Sequence, residues 1–196
     1  MKKKVIPILM ALMIAGVSTA ANGDGIVKVS VGGEQVGVEL GASSVSSVQE
    51  IVDRLGAFSN YDVDSGKLEV EKPAVNVLVL EGVQKRSRDV ILSNPVKNFT
   101  DKDVPRSFGV FVEVDNAPVS KELVLKVVLV GPNGKVVAGG DERTFSTRSE
   151  TSFYFSEPFI STKLDQYGTY KVQVLMKRDK NSAYVKVGEN TFTVGR

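Results

Sequence analysis

Four groups of side chains in this 196-residue chain have types and spacings that could do chemistry. Asp62 and Asp64, followed by Gly66, place two carboxylates in one loop, the hard oxygen donors that calcium takes. Asp101, Asp103, Asp115 and Asn116 would add a second acidic set if one end of a domain gathered them. The first set lacks the EF-hand order, with glycine sixth and a bidentate glutamate twelfth, and Asp with Gly makes a turn unaided. An ordinary hairpin turn is therefore the expectation, and no metal or cofactor is assigned. Lys85, Arg86 and Arg88 form a small basic group that would either contact an anion or remain a solvated linker. Phe153, Tyr154 and Phe155 could present a ring to sugar or peptide; in a strand the two phenylalanines share the core face and Tyr154 points outward. The candidate ligand contacts are thus Tyr154, Lys85, Arg86 and Arg88.

What the chain lacks narrows the chemistry further. It has no histidine and no cysteine, so the usual general base, the commonest metal ligand and the thiolate nucleophile are all missing. Glycosidase chemistry needs only two carboxylates, so a carboxylate-based hydrolase is a third reading, but it also demands a cleft with a desolvated acid. A small sandwich fills its interior with its own side chains. The expectation is a protein that is not an enzyme.

The amino terminus reads as an export signal. Lys2, Lys3 and Lys4 precede an apolar run from Val5 to Val17 and then Ser18, Thr19, Ala20 and Ala21. The apolar run is shorter than the ~20 residues that span a bilayer. Cleavage after Ala20 is expected, with no stable membrane insertion afterwards. Removing residues 1–20 takes away three of the 25 basic residues and none of the 23 acidic ones, leaving a formal net charge of −1. That balance gives no general attraction to nucleic acid. Without cysteines, stability rests on packing alone.

The elements that must position these residues follow from periodicity. Val27, Val29 and Val31, then Gly32-Gly33, then Val36, Val38 and Leu40 predict a hairpin. Ser47 three residues before Glu50 has capping-box spacing, and Val48, Ile51, Val52 and Leu55 make one helical stripe that Gly56 ends. Phe58, Tyr61 and Val63 lead through Asp62 to Lys67 into Leu68 and Val70, a second hairpin closing at Pro73. Leu55-Gly56-Ala57, Tyr61-Asp62 and the stretch from Gly66 to Val70 resemble the copper amine oxidase N-terminal-like repeat, an extracytoplasmic module of Gram-positive bacteria. Ser47 and Gln49 stand where that repeat carries Pro and Arg. The resemblance implies a small α+β module over residues 25–72. It implies no oxidase activity, since the copper of those enzymes needs histidines in another domain.

Residues 73–88 are expected to be a junction, with the apolar segment 75–80 docking the module on its neighbour. From 89 to 196 strand follows strand: Phe108 to Val114, Leu123 to Leu129, Phe153 to Phe155, Tyr170 to Met176, and a last pair from Tyr184 to Val194. This pattern predicts an antiparallel sandwich. Leu164 to Tyr170 resembles the tyrosine corner of immunoglobulin-like domains, with Tyr170 as the corner residue. The fold class is therefore mainly β, a hairpin-helix-hairpin module plus an immunoglobulin-like sandwich.

The functional expectation is an exported, non-enzymatic bacterial protein, extracellular or associated with the cell surface. Its partner would be a cell-wall component or an exported protein, bound through the sandwich. The alternative is an inhibitor or accessory chaperone-like protein that docks on an exported enzyme through loops or an unpaired strand edge.

Overall fold

The computed structural model describes residues 26–31, 34–41, 45–62, 64–65, 67–87 and 89–195, with side chains from residue 47 onward. The export signal, the Gly32-Gly33 turn, Val63, Gly66 and Arg88 lie outside the described residues.

Two hairpins flank one helix at the amino-terminal end. Strands β1 (Ile26–Val31) and β2 (Glu34–Gly41) pair antiparallel, as do β3 (Phe58–Asp62) and β4 (Lys67–Glu71), with helix α1 (Val45–Arg54) between them. A parallel pairing of β1 with β4 joins the hairpins into one sheet of order β2-β1-β4-β3. The helix begins at Val45, so Ser47 lies inside its first turn and not at its cap. Serines at 43, 44, 46 and 47 offer several starts, and spacing to Glu50 alone does not choose among them. The carboxyl end of the helix does follow the local signal. Gly56 adopts φ +72°, its amide donates to the Asp53 carbonyl at 3.0 Å and the Ala57 amide donates to Val52 at 3.0 Å. This is the paired closure that a left-handed glycine permits. Only half of the predicted stripe is covered: Val52 is buried and Val48 half-buried, whereas Ile51 and Leu55 are exposed.

The rest of the chain forms a sandwich because its strands alternate so regularly. In β8 (Pro105–Asp115), Phe108, Val110, Val112 and Val114 are buried while Phe111 and Glu113 face outward. Each such buried side chain contributes roughly 1.5–3 kcal/mol. The first sheet runs β12 (Phe153–Lys163), β8, β5 (Ala74–Arg86), β6 (Asp89–Pro95), all antiparallel. The second runs β10 (Val136–Gly139), β9 (Leu123–Val130), β13 (Gly168–Lys177), β14 (Val185–Gly195), β7 (Asn98–Thr100), with β11 (Arg143–Phe145) also on β9. One pairing departs from the antiparallel expectation, since β7 lies parallel to β14.

Residues 73–88, expected as a junction, are mostly strand β5, and the sandwich begins at Ala74, not at residue 89. Ala74 to Leu80 pair with β8 and put Val77 and Val79 into the core. An apolar heptad is long enough for a buried strand, and its sequence alone does not name the sheet it joins. Beyond Leu80 the strand leaves β8 and pairs only with β6. The Val83 side chain then rests over the outer face of Gly109, 2.9 Å from where a Cβ would stand. The β5–β6 hairpin therefore folds across the outside of its own sheet.

Docking of the small module differs from expectation as well. Segment 75–80 is itself a strand of the sandwich, and it is Phe58 of β3 that carries the module into the shared core beside Val77 and Val79. Arg178 just past β13 lies 5.6 Å over the Phe58 ring and donates from Nη2 to Glu71 Oε2 of β4 at 2.6 Å. At the far end of the sandwich, Phe99, Phe108, Phe159, Tyr170 and Phe192 form a continuous ring cluster, with Tyr170 and Phe192 stacked at 5.5 Å.

Candidate ligand-binding groove

The folded-over hairpin creates a feature of the sandwich exterior that could receive a small ligand. Cross-strand pairs share a face, so the pairings Val83↔Leu92 and Lys85↔Val90 put these four side chains on one side of the hairpin. That side meets the outer face of β8 and β12, where Phe111 and Tyr154 project. Between them lies a groove of about 270 Å³, walled by Val83, Lys85 and Val90 on the hairpin and by Phe111, Tyr154, Ser156, Phe155 and Arg143 opposite.

Two of the predicted contacts thus meet in one place. Lys85 stands on the hairpin wall and Tyr154, 49% exposed, on the sheet wall. Arg86 is exposed at the hairpin's end and does not line the groove, and Arg88 lies outside the described residues. As expected, Phe155 is buried, Phe153 packs against the core from its margin and Tyr154 turns outward.

Tyr154 has Phe111 at 5.7 Å with the rings tilted by 32°, so two aromatic faces lie side by side. Arg143 enters from β11. Its Nε and Nη2 both donate to Glu157 Oε2, at 3.1 and 2.9 Å, and its guanidinium lies 5.6 Å over the Phe155 ring. Glu157 is buried against Gly140, where any side chain on residue 140 would meet the carboxylate. Arg143 is therefore held by three contacts while its side chain stays 40% exposed. Lys85 has no acidic partner among the described residues. Glu113, directly opposite Tyr154 in the ladder, accepts from Asn76 Nδ2 at 3.1 Å.

Sequence reasoning missed Arg143, Phe111, Val83 and Val90. Phe111 did leave a signal, an aromatic on the outward register of β8 between Gly109 and Glu113. Arg143 left none, because only the approach of β11 brings it to β12.

An adjoining groove of about 300 Å³ shares Val83 and Ser156 with the first and runs past Gly109, Pro158 and Ile160. It contains two carboxylates, Glu81 and Glu157. Glu81 accepts from Asn94 Nδ2 at 2.7 Å, and Glu157 is paired with Arg143.

The acidic loops sort differently from the expected grouping. Asp101 and Asp103 precede β8, whereas Asp115 ends it and Asn116 follows. The intervening 11-residue strand separates the two pairs by roughly 30 Å. Asp103 instead pairs with Lys163 at 3.3 Å. Asp62 accepts from the Ser65 hydroxyl at 2.6 Å and the Asp64 amide at 3.0 Å, the pattern of a side chain closing its own turn. The Ser65 hydroxyl, with the Asp64 and Ser65 amides, holds the Asp62 carboxyl below its ordinary range. No group of three potential metal-ligating side chains occurs among the described residues.

The tyrosine corner is formed by Tyr170. Its buried ring carries a hydroxyl that accepts from the Gln166 amide at 3.0 Å and donates to the Gln166 carbonyl at 3.1 Å.

No protein-family model matches the chain, and no curated protein matches it. Solved structures are similar to part of it, those below with TM-scores under 0.5. A β-glucuronidase of Bacteroides uniformis is 10% identical over 60% of this chain and 13% of the enzyme's own, with a TM-score of 0.41. A CARDB domain from Pyrococcus furiosus, in complex with di-metal ions, is 10% identical over 63% of this chain and 94% of its own, with a TM-score of 0.34. An immunoglobulin-like protein of Pseudomonas aeruginosa is 12% identical over 63% of this chain and 97% of its own, with a TM-score of 0.32. The immunoglobulin-like assignment rests on the strand order and the tyrosine corner.

Proposed function

We propose that this chain is an exported bacterial protein without enzymatic activity that binds at the cell surface or in the wall, its immunoglobulin-like sandwich serving as the recognition domain. The observation that carries this reading is the groove under the β5–β6 hairpin. A sandwich closes its interior with its own side chains, so recognition must use its surface. Here one surface site combines two accessible aromatic faces with two cationic side chains. The residues 1–20 pattern supports export, and the absence of histidine and cysteine supports binding over catalysis. The copper amine oxidase N-terminal-like resemblance of residues 25–72 supports an extracytoplasmic setting, with the module acting as a support for the sandwich.

The test is retention on purified cell wall and on immobilised secreted proteins, comparing the unaltered chain with Tyr154→Ala and Lys85→Ala. Retention that falls in both variants is the expected result. Equal retention of all three proteins, or turnover of a substrate by the purified chain, would overturn the reading.

A second reading has its own support. Strand β6 is one of the two edges of its sheet, and Ile91 and Leu92 on it are exposed, as suits a strand-adding partner protein. An accessory protein or inhibitor docking on an exported enzyme would use that edge. Capture of a secreted enzyme that is lost on Ile91→Lys and unaffected by Tyr154→Ala would favour it over the groove.

A further inference from the structure

We infer that the groove takes an anionic sugar, its ring against Tyr154 and Phe111 and its acid group between Lys85 and Arg143. This rests on the reading of the groove as the recognition site and adds the class of ligand. Size is the first argument. At about 270 Å³ the groove lies just below the ~300–1,000 Å³ of ordinary ligand sites, which suits one ring-sized unit and leaves the rest of a chain in solvent. The second argument is the shape of the apolar wall. Two tilted rings 5.7 Å apart offer flat, electron-rich faces. The slightly positive C–H groups of a pyranose meet such faces favourably, by the same quadrupole that attracts cations.

Charge supplies the third argument. Lys85 has no acidic partner among the described residues, and Arg143 spends Nε and Nη2 on a single oxygen of Glu157. Glu113, the carboxylate opposite Tyr154 in the ladder, is engaged by Asn76. An arginine fixed on one wall and a lysine on the other bring two cationic side chains to the same groove, and charge-assisted bonds are the stronger kind. An extended acidic peptide fits less well. Its backbone would have to pair in the plane of the sheet at a strand edge, whereas the floor of this groove is made of side chains on the outer face of β8 and β12.

The experiment is calorimetric titration of the purified chain with trigalacturonate, with a neutral maltotriose and with a glutamate tripeptide. Trigalacturonate should bind and weaken as salt is raised, maltotriose should bind on the order of tenfold more weakly, and the tripeptide should not bind. Lys85→Gln and Tyr154→Ala, both at exposed positions, should each reduce affinity about tenfold or more, while Lys171→Gln on the other sheet changes nothing. Absence of trigalacturonate binding, equal binding of maltotriose or of the tripeptide, or indifference to the two variants would overturn the inference. If trigalacturonate fails while wall retention still depends on Tyr154 and Lys85, the sugar class is wrong and the site stands. If wall retention ignores both residues, the site reading falls with it.

Discussion

Tyr170 ties its corner with a single oxygen that both accepts from and donates to Gln166, while its ring stacks on Phe192. Tyr170→Phe should keep the ring packing and lose both bonds, leaving the Gln166 amide and carbonyl without that partner. A loss of about 1–3 kcal/mol in denaturant unfolding is expected. Ionisation gives a second prediction at this scale. Asp62, Glu142, Asp179 and Glu189 are held below their ordinary values, chiefly by hydrogen bonds from Ser65, Tyr184, Ser182 and Gln173 respectively. Groups lowered in the folded state stabilise it fully above the ordinary carboxyl range near pH 4, and that contribution disappears as pH falls through their folded values. Asp53, raised by burial, works weakly in the opposite direction. Tyr170 and Tyr184 are raised, first by burial and for Tyr184 also by the Glu142 carboxylate at 2.5 Å. The folded state therefore resists their ionisation, and stability falls as pH rises past the ordinary tyrosine value near 10. The denaturation midpoint should be flat near neutrality and drop at both extremes. Glu142→Gln should flatten the acid limb and bring one tyrosinate absorbance step to lower pH.

The β5–β6 hairpin is the element on which the groove depends, and Gly109 allows it to lie where it does. A side chain at residue 109 would stand where Val83 packs, 2.9 Å from its Cγ2. Gly109→Leu should lift the hairpin from β8, widen the groove and cost about 1–3 kcal/mol by overpacking. The readouts are faster proteolysis within residues 81–93 and reduced wall retention, with the Tyr170 corner unchanged. The hairpin's position could not be read from its own residues. AVNVLVL signals a buried strand and LEGVQKR a polar continuation, but the bend after Leu80 comes from which partner each half finds.

Across the molecule, the small module and the sandwich share a core through Phe58, backed by Arg178 and Glu71. A sheet-and-helix unit of fewer than 60 residues is marginal alone, so this shared ring makes the unfolding of one part depend on the other. Calorimetry should show one transition for the whole chain. Phe58→Ala should cost about 3–5 kcal/mol and separate an early transition of the module from that of the sandwich. Residues 25–73 expressed alone should show no cooperative unfolding. Independent, cooperative unfolding of that fragment would mean that the Phe58 contact is incidental.

Local signals settled what depends on neighbours along the chain. The alternation of Phe108, Val110, Val112 and Val114 set a strand and its buried face, Gly56 set a helix end, and Tyr170 set a corner, because backbone sterics and side-chain period act over a few residues. Missing histidine and cysteine likewise narrowed the chemistry without any geometry. Tertiary structure alone decided that residues 74–80 join β8, that Asp101 and Asp115 lie at opposite ends of one strand, and that Lys85, Tyr154 and Arg143 face a common space. Those outcomes follow from how sheets pair and fold over each other, and Lys85, 58 positions from Arg143 and 69 from Tyr154, carries no local mark of meeting either.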